Sequence, residues 1–236
     1  MSRISPFVLG VTGNIACGKT TVLDMLAERG ATVLDGDVVY HGMIGPGGAL
    51  VPAIRERFGD GVIAPHGGVD RRALGAIVFA DATALVDLER LTHPAVVAEI
   101  QARIAAATTP VVVVDGVKLI ESGLDRACDR VWLVTCDPAL QEERLVRRNG
   151  LDQTEARRRI AAQPDDDAKR NRVDLVIAND GTLDDLRAVI NGAWRTSALP
   201  GGADHAAPAA GVGSAYRTAS LTQTPKRKEP HDGRTN

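Results

Sequence analysis

The sequence predicts an α/β fold built on a parallel sheet. Three observations carry that expectation: short continuous apolar runs, longer segments of helical period between them, and a glycine-flanked turn joining the first run to the first helix. The runs are residues 7–12 (FVLGVT), 31–35 (ATVLD), 110–115 (PVVVVD), 130–135 (RVWLVT) and 174–178 (DLVIA). Each is apolar on consecutive positions, the pattern of strands covered on both faces. Helical patterns over 19–29, 82–106, 138–149, 153–163 and 182–195 separate them, so right-handed crossovers are expected.

Residues 38–107 contain no strong core strand and are too long for a simple crossover, which predicts a helical insertion between two strands. The organisation expected is a core of 1–37 and 108–196, the insertion over 38–107, and a tail over 197–236. That tail is rich in Ala, Gly, Pro, Ser and Thr without periodicity, a composition that predicts disorder.

Composition bounds the function classes. The chain has 236 residues, 44% apolar and 25% charged, with a formal charge of −2. These are the values of an ordinary globular protein, with no global basic field to attract nucleic acid. The short basic cluster at 226–228 reads as solvated tail charge. Cys17, Cys128 and Cys136 are odd in number and irregularly spaced, which argues against a disulfide framework or a zinc site and for buried reduced thiols. No secretory signal is legible at the N-terminus, and no run approaches the ~18 apolar residues that span a membrane, so a cytoplasmic location without membrane association is expected.

The turn itself reads GNIACGKTT from Gly13 to Thr21. It has the spacing of a phosphate loop, in which glycines let backbone N–H groups converge on phosphates. Lys19 then reaches the β and γ oxygens, and the Thr20 hydroxyl holds Mg²⁺. The strand before and the helix after satisfy the context the motif requires, and Gly30 supplies a helix stop. Thr20 and Thr21 open the helix toward the anion.

VLDGDVVY follows the second predicted strand, where open α/β sheets bind ligands. Read as extended chain, Asp35 and Asp37 point the same way, one to take a proton and one to orient the metal; a turn or helix cap is the alternative for either. Asp115, ending VVVVD, reads as a water-mediated Mg²⁺ contact or a turn cap. Arg144, Arg147 and Arg148 share a face of a helix that breaks at Asn149 and Gly150, and the arginine-rich hairpin over about 144–165 suggests a lid over transferring phosphates.

In chain order, GNIACGKTT, VLDGD, RFGDGVI, GGVDRRALGAIVF, LERLTHPAV, ESGLDRACDRVWLV, ERLVRRNG, RRIAAQ and LVIANDGTLDDL resemble the dephospho-CoA kinases from residue 7 to about 195. The resemblance implies a five-stranded parallel nucleotide-binding core, a helical acceptor-binding domain and a helical lid. It also implies transfer of a phosphoryl group from ATP to the ribose 3′-hydroxyl of dephospho-CoA. By the same resemblance, Gly13, Asn14, Ile15, Ala16, Cys17, Gly18, Lys19, Thr20 and Thr21 bind ATP, Asp37 is the base, and Arg144 steadies the phosphoryl group. Asn179 stands near the adenine, or else serves as a turn residue. Asp70, Arg71, His93 and Pro94 shape the acceptor site, with packing or capping the alternative for His93. The partner expected is dephospho-CoA alone, with a monomer or weak homo-oligomer.

Departures from the family pattern set specific questions. Asn14, Ala16 and Cys17 replace two glycines and a serine, so Asn14 and Ala16 must accept the backbone angles of the loop. Lys118, in GVKLIESG, brings a cation where the family often has proline and leucines; it binds a phosphate, pairs with a carboxylate or is solvated. His41 stands where arginine is common. The rivals to this reading are a kinase of another small alcohol and a regulatory nucleotide switch; the Asn-Lys-x-Asp guanine-reading pattern of GTPases is missing from the sequence.

Overall fold

A computed structural model of the chain describes residues 5–164 and 166–197. Strands β1 (Phe7–Thr12), β2 (Thr32–Asp35), β3 (Val111–Asp115), β4 (Arg130–Thr135) and β5 (Leu175–Ala178) form one sheet in the order β2-β3-β1-β4-β5. Every neighbouring pair is parallel. The five apolar runs are these strands, each within one residue of the predicted bounds.

Alternation along each strand explains why continuous apolar runs were needed. Val111 and Val113 pack on one face with Leu9, Val11, Trp132 and Ile177, against Val22, Leu26, Ile190 and Trp194 of two helices. Val112 and Val114 pack on the other, with Val8, Val131, Val39 and Ile100. Both faces are covered, so each position contributes roughly 1.5–3 kcal/mol of burial.

The helices are α1 (Lys19–Ala27), α2 (Gly36–Ile44), α3 (Val51–Phe58), α4 (Arg71–Ala80), α5 (Ala82–Ala106), α6 (Pro138–Asn149), α7 (Gln153–Ala161), α8 (Asp166–Arg170) and α9 (Leu183–Thr196). Aspartates start five of them: Asp35, Asp70, Asp81, Asp137 and Asp152 accept backbone N–H groups of α2, α4, α5, α6 and α7. Thr182 and Asp185 form a reciprocal capping box on α9. Gly30, at φ 85°, follows the end of α1.

Between β2 and β3 the described chain is helical apart from short turns and one isolated bridge from Ile63 to Val69. Ile44, Leu50, Ile54, Val62, Val69, Leu74, Val78 and Ala84 build a separate apolar cluster there. Helix α5 serves two clusters: Leu85, Leu88 and Leu91 pack into this one, while Val97, Ile100 and Ile104 pack on the sheet. Pro94 lies inside that helix, where it leaves one backbone bond unmade. Among the described residues, no helix is long and apolar enough to cross a membrane. The expectation of a disordered tail over 197–236 lies, apart from Ser197 at the end of α9, outside the described residues.

Candidate active site

The loop from Gly13 to Gly18 leaves the carboxyl end of β1, the central strand, and enters α1. Its glycines are required by close approach. A Cβ at Gly13 would overlap the Val134 carbonyl oxygen, and one at Gly18, where φ is 89°, would overlap the Asn179 side-chain amide. Ala16 takes the left-handed angle, φ 59°, and is alone in that among the described non-glycine residues. That conformation costs an L-residue roughly 1–2 kcal/mol, so the loop geometry is kept against a local preference. Asn14 needs no such angle and is free to carry a side chain.

That side chain makes two of the four hydrogen bonds that tether the loop. Asn14 Nδ2 donates to the Pro164 carbonyl at 2.9 Å, and Lys169 Nζ donates to Asn14 Oδ1 at 3.1 Å. The Ile15 N–H donates to Gln163 Oε1 and Gln141 Nε2 donates to the Ile15 carbonyl, both at 2.6 Å. Gln141, Gln163 and Lys169 carry no motif that announces this role. Gln163 falls in RRIAAQ, a block that carried the family resemblance without a function.

Cys17 is buried beneath the loop, and burial pushes its thiol up to about 12. It is a packed, unreactive thiol. Cys128 and Cys136 are free, partly buried and packed against the two sheet clusters. Thr20 is exposed at the start of α1, as a hydroxyl that meets a ligand must be.

Acidic groups gather at the neighbouring strand ends. Asp35 and Asp115 lie side by side in register on β2 and β3. Asp115 is buried and forms an ion pair with Lys19 Nζ. Burial raises its pKa above the ordinary carboxylate value; Lys19 opposes that shift, and Asp35 and Asp37 reinforce it. The extended reading of the DGD segment is corrected: α2 begins at Gly36, and Asp35 Oδ1 caps it by accepting from the Asp37 and Val38 N–H groups at 2.8 and 3.1 Å. Gly36 bends the chain close under the Asp115 carbonyl, 3.0 Å from where a Cβ would stand, and Asp37 projects exposed from the first helical turn.

Arg144, on α6, reaches the loop from the opposite side. Its Nη1 lies 4.0 Å from a Cβ position on Gly18, is buried, and has no hydrogen-bond partner among the described residues. Arg147 and Arg148, on the same helix, stand in solvent, so the three arginines do not act as one stripe. Asn179 is buried and donates from Nδ2 to the Cys17 carbonyl at 2.9 Å. Its side chain therefore supports the loop floor.

The remaining expected residues lie on the helices between β2 and β3 or just after β3. Asp70 caps α4 through Oδ1, accepting from Arg72 and Ala73 at 2.9 and 3.0 Å, and Arg71 is exposed beside it. Lys118 Nζ donates to Glu89 Oε1 at 2.6 Å. That bond holds the Glu89 carboxyl below its usual value, and partial burial lowers His93 against the opposing charge of Glu89. Glu89, Arg90, His93, Pro94 and Glu121 line one open depression. His41 stacks obliquely near Tyr40 in α2, ring centroids 5.9 Å apart. Among the described residues no three His, Cys, Asp or Glu side chains are grouped as a metal cage.

A family model described as dephospho-CoA kinase matches residues 7–185. The chain is 43% identical over 217 residues to a dephospho-CoA kinase of Symbiobacterium thermophilum, covering 91% of this chain and 90% of that protein. It is 40% identical over 190 residues to one from Geobacter sulfurreducens, covering 79% and 96%. Among solved structures, a Thermus thermophilus protein matches with a TM-score of 0.64 at 30% identity, over 82% of this chain and 98% of its own. A dephospho-CoA kinase from Campylobacter jejuni matches in fold, with a TM-score of 0.54 at 22% identity, over 82% and 98%.

Proposed function

Since the chain belongs to the dephospho-CoA kinase family, we propose how its own residues divide the work of that reaction. The reaction moves the γ-phosphoryl group of ATP to the ribose 3′-hydroxyl of dephospho-CoA, giving CoA and ADP in the last step of coenzyme A biosynthesis. Supporting the division is one observation: Lys19, Asp115, Asp35 and Asp37 converge at the carboxyl ends of adjacent strands, with Arg144 facing the same loop.

The amides of Gly13 to Thr21 cradle the ATP phosphates, and Lys19 exchanges the Asp115 carboxylate for β- and γ-phosphate oxygens. Exposed Asp37 takes the proton of the 3′-hydroxyl as its oxygen attacks the γ-phosphorus and the bond to ADP breaks. Arg144 and Lys19 stabilise the charge spread over the transferring oxygens. Asn179 holds the loop in register for this. The helices of 38–107 bind the acceptor, with Asp70, Arg71, His93, Pro94 and Lys118 along its path, and the hairpin over about 144–165 is the lid.

The donor set fits Mg²⁺. That ion keeps most of its waters and needs only one or two protein oxygens beside the phosphates, so the lack of a three-ligand cage among the described residues is no obstacle. The Thr20 hydroxyl would hold it directly, with Asp35 and Asp115 through water. Bound there, it would neutralise charge on the β and γ oxygens. The enzyme is read as cytoplasmic, monomeric or weakly self-associating, and without a nucleic-acid partner, in keeping with its formal charge of −2.

A coupled assay of ADP release across a panel of acceptors tests this reading. Turnover is expected with dephospho-CoA and not with simple nucleosides or small alicyclic alcohols. Equal turnover with any of those, or ATP binding without acceptor-dependent release, overturns it.

A further inference from the structure

Lys169 is 2% exposed, yet it is a lysine on a helix of only five residues. Its ammonium reaches across 155 residues of sequence to the Asn14 amide of the phosphate loop. A neutral amide oxygen supplies one hydrogen bond but does not by itself offset the desolvation of a buried positive charge. A polyphosphate seated on the other side of the same loop does supply opposite charge. The neighbouring tethers share one origin: Gln163, Pro164 and Lys169 all lie between α7 and the end of α8, so the end of the hairpin and the short helix after it hold the outer limb of the loop.

We propose that Lys169 is a positioning residue for the nucleotide. Anchored on Asn14, it sets a buried positive charge behind the phosphate loop and fixes the loop to the segment leaving the helical hairpin. The amide side chain of Asn14 is what gives the lysine its handle. This rests on the reading of the loop as the ATP site and adds a residue to it.

The two functions of Lys169, charge and packing, separate on substitution. Lys169→Met keeps the chain length and removes the charge. A purely structural lysine would give a variant that melts lower and loses both substrates alike. A lysine acting on the nucleotide gives a Tm without ligand within a few degrees of wild type. It also weakens a β,γ-imido analogue of ATP about tenfold, the scale of one charged hydrogen bond, with KM for dephospho-CoA within twofold. Lys169→Arg should recover part of the loss.

The contact itself is read by a double-mutant cycle with Asn14→Ala, using calorimetric titration of the analogue. The double variant should bind about as weakly as Lys169→Met alone. Analogue affinity within twofold of wild type in Lys169→Met, or fully additive losses in the cycle, overturns the proposal. Should Lys169→Met fail to fold, Asn14→Ala decides alone: a loss of about threefold or more in analogue affinity supports it, and none overturns it. Analogue binding needs no acceptor, so an error about dephospho-CoA shows separately, as wild-type protein that binds the analogue but does not phosphorylate that alcohol.

Discussion

Two lysine–carboxylate pairs flank the site and differ in almost every respect. Lys19 and Asp115 have side chains 16% and 9% exposed, and they sit between a strand end and a helix start. Lys118 and Glu89 are 58% and 34% exposed and join a turn to a long helix. The first pair lies beside a loop tethered on both limbs, with its floor held by Asn179. Of the second pair, Glu89 lines an open depression with Arg90, His93, Pro94 and Glu121. The nucleotide side is therefore organised before its ligand arrives, whereas the other side offers exposed groups that a substrate can order. Positioning groups in advance is what phosphoryl transfer mostly asks of a protein, because there is little covalent chemistry for it to perform.

The largest expected effect lies where the two sides meet. Asp37→Asn should lower kcat by roughly 10²–10⁴ with analogue affinity nearly unchanged, since only proton transfer is lost. An unchanged kcat in the ADP-release assay removes Asp37 as the base and leaves it a residue of the first turn of α2.

Next comes the buried pair. Lys19→Met should cost about 10²–10³ in kcat/KM through lost charge stabilisation. It should also destabilise the fold, because Asp115 is left buried without its cation. Breaking a buried pair this way costs roughly 3–5 kcal/mol, less to the extent that Asp115 takes up a proton. The same burial gives a pH signature. The folded pKa of Asp115 is raised above the ordinary 3.8, so its contribution to stability is fully present below that value and is lost as pH rises through the folded pKa. Melting wild type and Asp115→Asn side by side upward from pH 3.8 should show wild type losing ground to the variant. A difference that stays flat with pH contradicts the sign.

The exposed pair should respond weakly. Lys118→Ala is expected to cost under about 1 kcal/mol, and in wild type the pair's contribution should fade in high salt. A loss of several kcal/mol would erase the contrast between the two sides. A raised KM for dephospho-CoA alone would instead sharpen it, by giving the exposed lysine a substrate to meet. The smallest change is a gain: Ala16→Gly should stabilise by about 0.5–1 kcal/mol, since relief of the left-handed angle outweighs the added freedom of the unfolded chain. Chemical denaturation measures it directly.

Much of this was legible in the sequence, for local reasons. A strand covered on both faces must be apolar at every position, so VVVVD could be read at sight. Helical periods placed α5, α6 and α7 within a few residues, whereas the aspartate caps that start α4 through α7 were seen only in the fold. The glycine spacing gave the loop, and the departures at positions 14 and 16 raised the question of backbone angle, which the fold answers at Ala16 alone among the described non-glycine residues. What escaped depends on tertiary proximity. Asn14 and Lys169, or Asn179 and Cys17, are more than 150 residues apart, and no periodicity connects them. The DGD segment misled for a subtler reason: strand and helix meet inside it, and Asp35 is committed to capping where extended chain would have aimed both carboxylates alike.

Pro94 stands at the boundary between two apolar clusters, with Leu91 packed in one and Val97 in the other. Helix α5 has 25 residues, a rod of roughly 37 Å at the usual rise, and its interior is interrupted near the middle. A rod bends where its ladder of bonds is broken. A load on the cluster around Ile54 and Leu74 would therefore bend α5 at Pro94 before it reached the sheet. The proline that divides the two clusters is itself among the residues expected to meet the substrate.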